Sequence, residues 1–154
     1  IYHTIVNYLI RLSAQSKLSE EKSISSLHNN VGDIMRIAEI ADNFTKYTQR
    51  TVKHDLHFSG NVKAEIDDMA GRVEELYSLT RRLVLEKEGE LLLQVDEVEN
   101  EIDALRKKLL NRHIERLNSG ECRPESSGVY INLVSNLERL GDHLTYIAHT
   151  VDVG

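Results

Sequence analysis

The chain has 154 residues, enough for one ordinary domain with a real core, and its eight glycines, single proline and 29% charged residues make a helical composition. A net charge of −6 argues against nucleic acid, which wants a basic stripe, and against docking on anionic lipid. The lone Cys122 excludes an internal disulfide and a thiolate-rich zinc site, and no apolar run is longer than a few residues (Leu91-Leu92-Leu93), so nothing inserts directly into a bilayer.

Apolar residues at steps of three and four mark the helices in turn, and no stretch alternates β-branched and polar residues as a strand would. Residues 1 to about 16 carry Ile1, Ile5, Leu9 and Leu12. Ser13 to Lys17 breaks this stripe, and Ser19-Glu20-Glu21 reads as an N-cap followed by acids that complement the helix dipole. A second helix is expected over about 20–56 on the stripe Leu27, Val31, Ile34, Ala38 and Ala41. A third, about 61–86, uses Val62, Ile66, Met69, Val73, Leu76 and Leu83. The fourth, about 90–118, uses Leu91, Val95, Val98, Ile102, Leu105 and Leu109. Pro124 follows a turn at 118–124 and is placed to start the fifth helix, about 125–151, on Leu133, Leu137, Leu140, Leu144, Ile147 and Val151. Stripes stepping by seven and short connections predict an all-α, antiparallel helical bundle of about five helices.

A faint internal repeat runs through this pattern. Val31 to Glu39 aligns with Val134 to Asp142 at an offset of 139 − 36 = 103, and Arg11-Leu12 aligns with Arg116-Leu117 at 116 − 11 = 105. The chain begins at Ile1, without Met and inside a helical pattern, so it is expected to be a piece of something longer. The expected division is 1–86 as a degenerate first repeat and 87–154 as a second repeat without its last helix.

Two acid pairs stand out. Glu138 and Asp142 are four apart, as are Glu99 and Asp103, so each pair shares a helix face beside apolar neighbours (Leu137 and Gly141; Val98 and Ile102). Counted from a turn centred near residue 121, the pairs sit 18–22 residues before it and 17–21 after it, at matching height on antiparallel neighbours. If the same edges face one another, four carboxylates converge and need a cation. That cation is a metal that suits hard oxygen ligands (iron, manganese, magnesium, calcium or zinc), or else Arg106 or Arg139 as plain ion pairs. A solvated acidic face is the simpler reading of any one pair.

The histidines carry less. His54 and His57 read as residues near a helix C-terminus, His143 as a capping or outer-shell group, and His113 as a bundle-surface residue; Cys122 reads as incidental and Arg106-Lys107-Lys108 as an exposed face. No His follows a Glu by three, as a ferritin-like oxidase would need. There is also no phosphate loop, nucleophile elbow or HExxH, so the chain is expected not to be an enzyme.

Asn136-Leu137-Glu138-Arg139-Leu140-Gly141-Asp142-His143 resembles the LERIGDH signature of PhoU proteins, and the turn from His113 to Pro124 and the segment Tyr8 to Ser13 resemble the PhoU-type cytoplasmic domain of bacterial sodium/phosphate cotransporters. The resemblance implies tandem three-helix bundles and Glu/Asp-x-x-x-Asp motifs associated with multinuclear iron or zinc clusters. Glu99, Asp103, Glu138 and Asp142 are the metal-ligand candidates. The first repeat departs from the motif, with Met35, Glu39 and Ile40 at its acid, Asp and His positions, while Asn43 matches. The implied role is regulatory: a domain on the cytoplasmic side of the cell membrane that restrains phosphate uptake. Its partner is the membrane transporter portion of the same polypeptide, with a homodimer as a further expectation. The alternatives are a stand-alone PhoU-type phosphate-signalling regulator and a metal-carboxylate enzyme or metal store.

Overall fold

In a computed structural model the structure describes residues 1–152, the side chains of Leu18 and Ser19 excepted. The architecture is all-α: α1 (Tyr2–Ser13), α2 (Leu18–Lys53), α3 (Gly60–Glu86), α4 (Leu91–Asn118) and α5 (Pro124–His149), with no strand among the described residues. No helix among them is long and apolar enough to cross a membrane.

The helix ends follow local chemistry. Ser59 Oγ accepts a hydrogen bond from the Val62 N–H and caps α3, and Pro124 sits in the first turn of α5. Gly120 takes φ +77° in the α4–α5 turn, where a left-handed residue closes the helix end. Two boundaries differ from those read from the sequence. α2 starts at Leu18, with an extended Lys17 at its cap, so Ser19 falls inside the helix; the side chain expected to cap it lies outside the described ones. α2 also ends at Lys53 rather than near 56, where His54 leaves the helical conformation and Asp55 turns to φ 49°.

α3, α4 and α5 pack pairwise into a three-helix bundle; α2 lies along α5 alone, and α1 doubles back on α2. The bundle core runs in sevens on all three helices: Met69, Leu76 and Leu83 on α3, Val95, Ile102 and Leu109 on α4, and Tyr130, Leu137 and Leu144 on α5, all buried. On α5 the seam includes fully buried Val134 rather than the expected Leu133, which is only partly covered.

α2 turns a different face inward from the one expected. Leu27 is 52% exposed and Ile34 58%, and Ala38 and Ala41 are also exposed. The residues that pack are Ile24, Ile37, Ile40 and Phe44. α2 carries two apolar stripes, and with α5 as its one large neighbour it can bury only one of them. α1 likewise buries Leu9 and leaves Ile5 and Leu12 more than a third exposed.

Candidate metal centre

The site grows from the seam between α4 and α5. Val98 and Ile102 are buried on one side of the seam and Leu137 and Gly141 on the other, so the residue after each lies at the seam's margin. Those residues are Glu99, Asp103, Glu138 and Asp142. Gly141 is buried here: a Cβ built on it would lie 3.5 Å from side-chain atoms of both Ile102 and Leu76, ordinary van der Waals contact.

Glu99, Asp103 and Asp142 each offer a carboxylate oxygen, and the three oxygens lie within 4.8 Å of one another. Two oxygens bound to one ion at about 2.0–2.6 Å are at most roughly 5 Å apart, so the spacing fits a shared cation. Glu138 stands beside the three rather than among them. Its carboxylate is 3.7 Å from Arg106 Nε, and that nitrogen is buried with no hydrogen-bond partner.

The electrostatics describe a cluster short of positive charge. Burial holds the Glu99 carboxyl above its ordinary range, and Asp103, Asp142 and Asp96 push it further. Burial and then Asp142 raise Glu138, against the pull of Arg106. Burial and then Asp103 raise Asp142, with His143, Arg106 and Arg139 opposing. Lys107 reaches Asp103 only at 4.0 Å from an exposed position. Half-buried carboxylates in this state are stabilised by a proton or by a hard cation, and an all-oxygen donor set suits iron, manganese, magnesium or calcium, with zinc also admissible.

The other expected groups fall elsewhere. His143 Nδ1 lies 2.9 Å from Asp33 Oδ1, so this histidine ties α5 to α2. His54 occupies the C-cap of α2, and His57 pairs with Asp55 at 3.1 Å. In the first repeat, Glu39 pairs with Arg36 at 2.7 Å, Met35 is 38% exposed and Ile40 is buried, and no matching acid cluster forms there among the described residues. His113 is not on the surface. It is 1% exposed, stacked on Tyr130 at 4.5 Å, with Nε2 2.8 Å from Ser127 Oγ, because the turn at 118–124 folds over it. Cys122 lies near it, Sγ 4.0 Å from His113 Nδ1.

Polar links between helices also escaped the sequence reading, two of them near the acids or the turn. His149 Nε2 meets Asp96 Oδ1 at 2.7 Å, one turn along α4 from Glu99. At the turn end of the bundle Glu65 on α3 accepts hydrogen bonds from both terminal nitrogens of Arg116, at 3.0 and 2.9 Å, and from the Tyr130 hydroxyl at 2.9 Å. This clamp joins α3, α4 and α5, and Arg116 and Tyr130 are 51 and 65 residues from Glu65 in sequence, so no local pattern announces it.

The model of the PhoU domain matches residues 66–151, more than half of the chain and nearly all of the α3–α4–α5 bundle. The chain belongs to the PhoU family. All four candidate acids of this PhoU domain lie within the matched segment. Among curated proteins, the phosphate-specific transport system accessory protein PhoU homolog 1 of Thermotoga maritima is 24% identical over 119 residues, covering 77% of this chain and 50% of the relative. The chain thus spans about half the length of the curated relative it matches. No solved structure matches it.

Proposed function

We propose that this PhoU domain is a non-catalytic regulator of phosphate transport that holds a metal ion, iron or zinc, on Glu99, Asp103 and Asp142, with Glu138 able to join them. The observation that carries the reading is the meeting of three carboxylate oxygens within 4.8 Å on helices that the family model covers. A bound cation would neutralise the cluster and lock α4 to α5 at the height of Gly141. On this reading the repeat unit is α3–α4–α5, and α1–α2 echoes its last two helices, in place of a division at residue 86. The test is elemental analysis of protein purified without chelator, beside Asp103→Asn and Asp142→Asn. Bound metal in the wild type that is lost in both variants supports the site, and equal metal content in all three removes it.

The finer reading places the domain on the cytoplasmic side of the membrane, tethered to a sodium/phosphate cotransporter. It rests on the likeness of residues 8–13 and 113–124 to that group. The accessory-protein relative favours a second reading, a free-standing regulator of phosphate-specific transport. Translating the encoding frame on both sides separates the two: membrane-spanning segments in the same frame support the tether, and their absence there favours the free regulator. Phosphate uptake in cells with Asp103→Asn/Asp142→Asn then tests regulation; uptake that rises relative to wild type supports the metal-dependent brake, and unchanged uptake argues against it.

A further inference from the structure

The turn between α4 and α5 holds a group of side chains that the metal centre does not use. Gly120 takes φ +77° there, and the N–H groups of Glu121 and Cys122 both donate to the Arg116 carbonyl, at 2.9 and 3.2 Å. This closure sets Cys122 beside His113, Sγ 4.0 Å from Nδ1. His113 is 1% exposed. Its Nε2 is engaged by Ser127 Oγ at 2.8 Å, whereas its Nδ1 has no oxygen or nitrogen partner among the described residues, only the sulfur. A buried ring nitrogen without a strong partner costs stability and calls for a chemical reason. Burial and then Arg116 hold the imidazole below its ordinary pKa, against Glu65, so at neutral pH it is uncharged. With Nε2–H donating to Ser127, the basic lone pair is on Nδ1, facing the thiol.

The thiol hydrogen has three acceptors in reach: the Arg123 carbonyl at 3.6 Å, Ser126 Oγ at 3.8 Å and His113 Nδ1 at 4.0 Å. Of these only the imidazole is a base. Cys122 is part-exposed, and with His113 it lines a cavity of about 340 Å³ that His54, His57 and Phe58 of the α2–α3 connection also line. That is the size of a small-molecule site. A nucleophile, its base and a third group that orients the base form an activated thiol. His113 is ten residues beyond Asp103 on α4, about 15 Å along the helix, so this group stands apart from the carboxylates.

We propose that Cys122 is a thiol–disulfide exchange site that takes a small disulfide entering this cavity. The Cys122 sulfur attacks one sulfur of the disulfide and its proton passes to His113 Nδ1. The incoming S–S bond breaks as the new one forms, and the departing thiolate takes the proton from His113. The products are a mixed disulfide on Cys122 and one free thiol.

The test is intact-mass kinetics of the full chain with bis(2-hydroxyethyl) disulfide at one neutral pH. Cys122 is the one cysteine in the sequence, so the adduct reports on it alone. A positioned base contributes about 10²–10⁴-fold, part of which the sulfur's partial burial offsets. The folded chain should therefore react roughly tenfold or more faster than the chain unfolded in urea. His113→Gln should slow the folded chain by roughly tenfold or more. The sign separates a base from a packing role: a loosened turn uncovers the sulfur and speeds the reaction, whereas loss of the base slows it. Ser127→Ala keeps the imidazole but frees it to turn, and should slow the reaction by roughly threefold. Far-ultraviolet dichroism shows whether each variant keeps its helices, and if His113→Gln does not, Ser127→Ala decides. A folded wild type that reacts no faster than the unfolded chain overturns the proposal. So does either folded variant that reacts as fast as the wild type.

Discussion

Within α3–α5 each apolar stripe finds two neighbours: Met69, Leu76, Leu83, Val95, Ile102 and Leu109 are all at or below 1% exposure. The α1–α2 arm is written in the same period but rests on α5 from one side, and there Leu27, Ile34 and Tyr8 stay more than half exposed. Periodicity makes a helix, whereas burial requires a partner for each face. The acids follow the same division. A cluster of half-buried carboxylates is unfavourable unless neighbouring packing holds it in place, and it occurs at the α4–α5 seam, next to buried Ile102 and Leu137. The corresponding positions of α2, beside no such seam, carry Met35 and a surface pair, Arg36–Glu39.

The largest expected effect breaks this contrast at its base. Leu76→Ala removes a fully buried side chain from the bundle and should cost about 2–5 kcal/mol, whereas Ile34→Ala on the open face of α2 should change stability by less than about 0.5 kcal/mol. Urea unfolding of both variants at low chain concentration measures it. Comparable losses would mean that the arm is packed as tightly as the bundle.

Next is the clamp. Glu65→Ala leaves Arg116 without its bidentate partner beside Tyr130 and should destabilise by about 3 kcal/mol. Burial pushes the Glu65 carboxyl up, but hydrogen bonds from Arg116 and Tyr130 and the nearby guanidinium charges prevail and hold it below its ordinary value. A carboxyl with a depressed folded pKa stabilises fully above its unfolded pKa, and that stability is lost as pH falls through the folded value. Tyr130 has the opposite sign. Burial and then Glu65 push its phenol to about 12, so its contribution is complete below the ordinary phenol value and fades as pH rises toward 12. Acid and alkaline unfolding curves of wild type and Glu65→Ala should therefore converge at both extremes.

The acid cluster responds differently. Glu99, Glu138 and Asp142 have raised pKa values, so in the metal-free protein they cost stability at neutral pH and less as pH falls toward the ordinary carboxyl range, where the folded state holds protons that the unfolded chain has released. Asp142→Asn should then stabilise metal-free protein by about 1 kcal/mol at neutral pH, removing a few repulsions of roughly 0.2–0.5 kcal/mol each. The gain should shrink on acidification. Thermal melts across pH in the presence of chelator measure it, and a destabilised variant at neutral pH would show that the carboxylates already have cationic partners.

Much of this was legible in the sequence, because helix existence, the α4–α5 turn and the height of the acid pairs are all set by spacing along one or two helices. What was not legible depends on which helices become neighbours. Two apolar stripes on α2 competed for one partner, and nothing in residues 18–53 says that Ile37 and Phe44 pack on the core while Leu27 and Ile34 stay exposed. His113 looked like a surface residue because its cover, the 118–124 turn and Tyr130, arrives from beyond its own helix. Of the four acids, spacing placed all at one level but could not resolve that Arg106 draws Glu138 aside.

The smallest effect sharpens the comparison at a single carbon. Gly141 in the packed α5 aligns, at the repeat offset of 103, with Ala38 on the open face of α2. If the glycine were there because no side chain fits, Gly141→Ala would be strongly destabilising. An alanine Cβ at this position instead meets Ile102 Cδ1 and Leu76 Cδ2 at 3.5 Å, ordinary van der Waals contact that requires no movement. Alanine is also favoured over glycine inside a helix by up to about 1 kcal/mol. The variant should therefore be neutral to about 1 kcal/mol more stable, with metal content unchanged. A loss of more than about 1 kcal/mol would place α5 closer to α3 and α4 than 3.5 Å contacts allow, and would make the glycine, rather than the apolar stripes around it, the element that sets the carboxylates' separation.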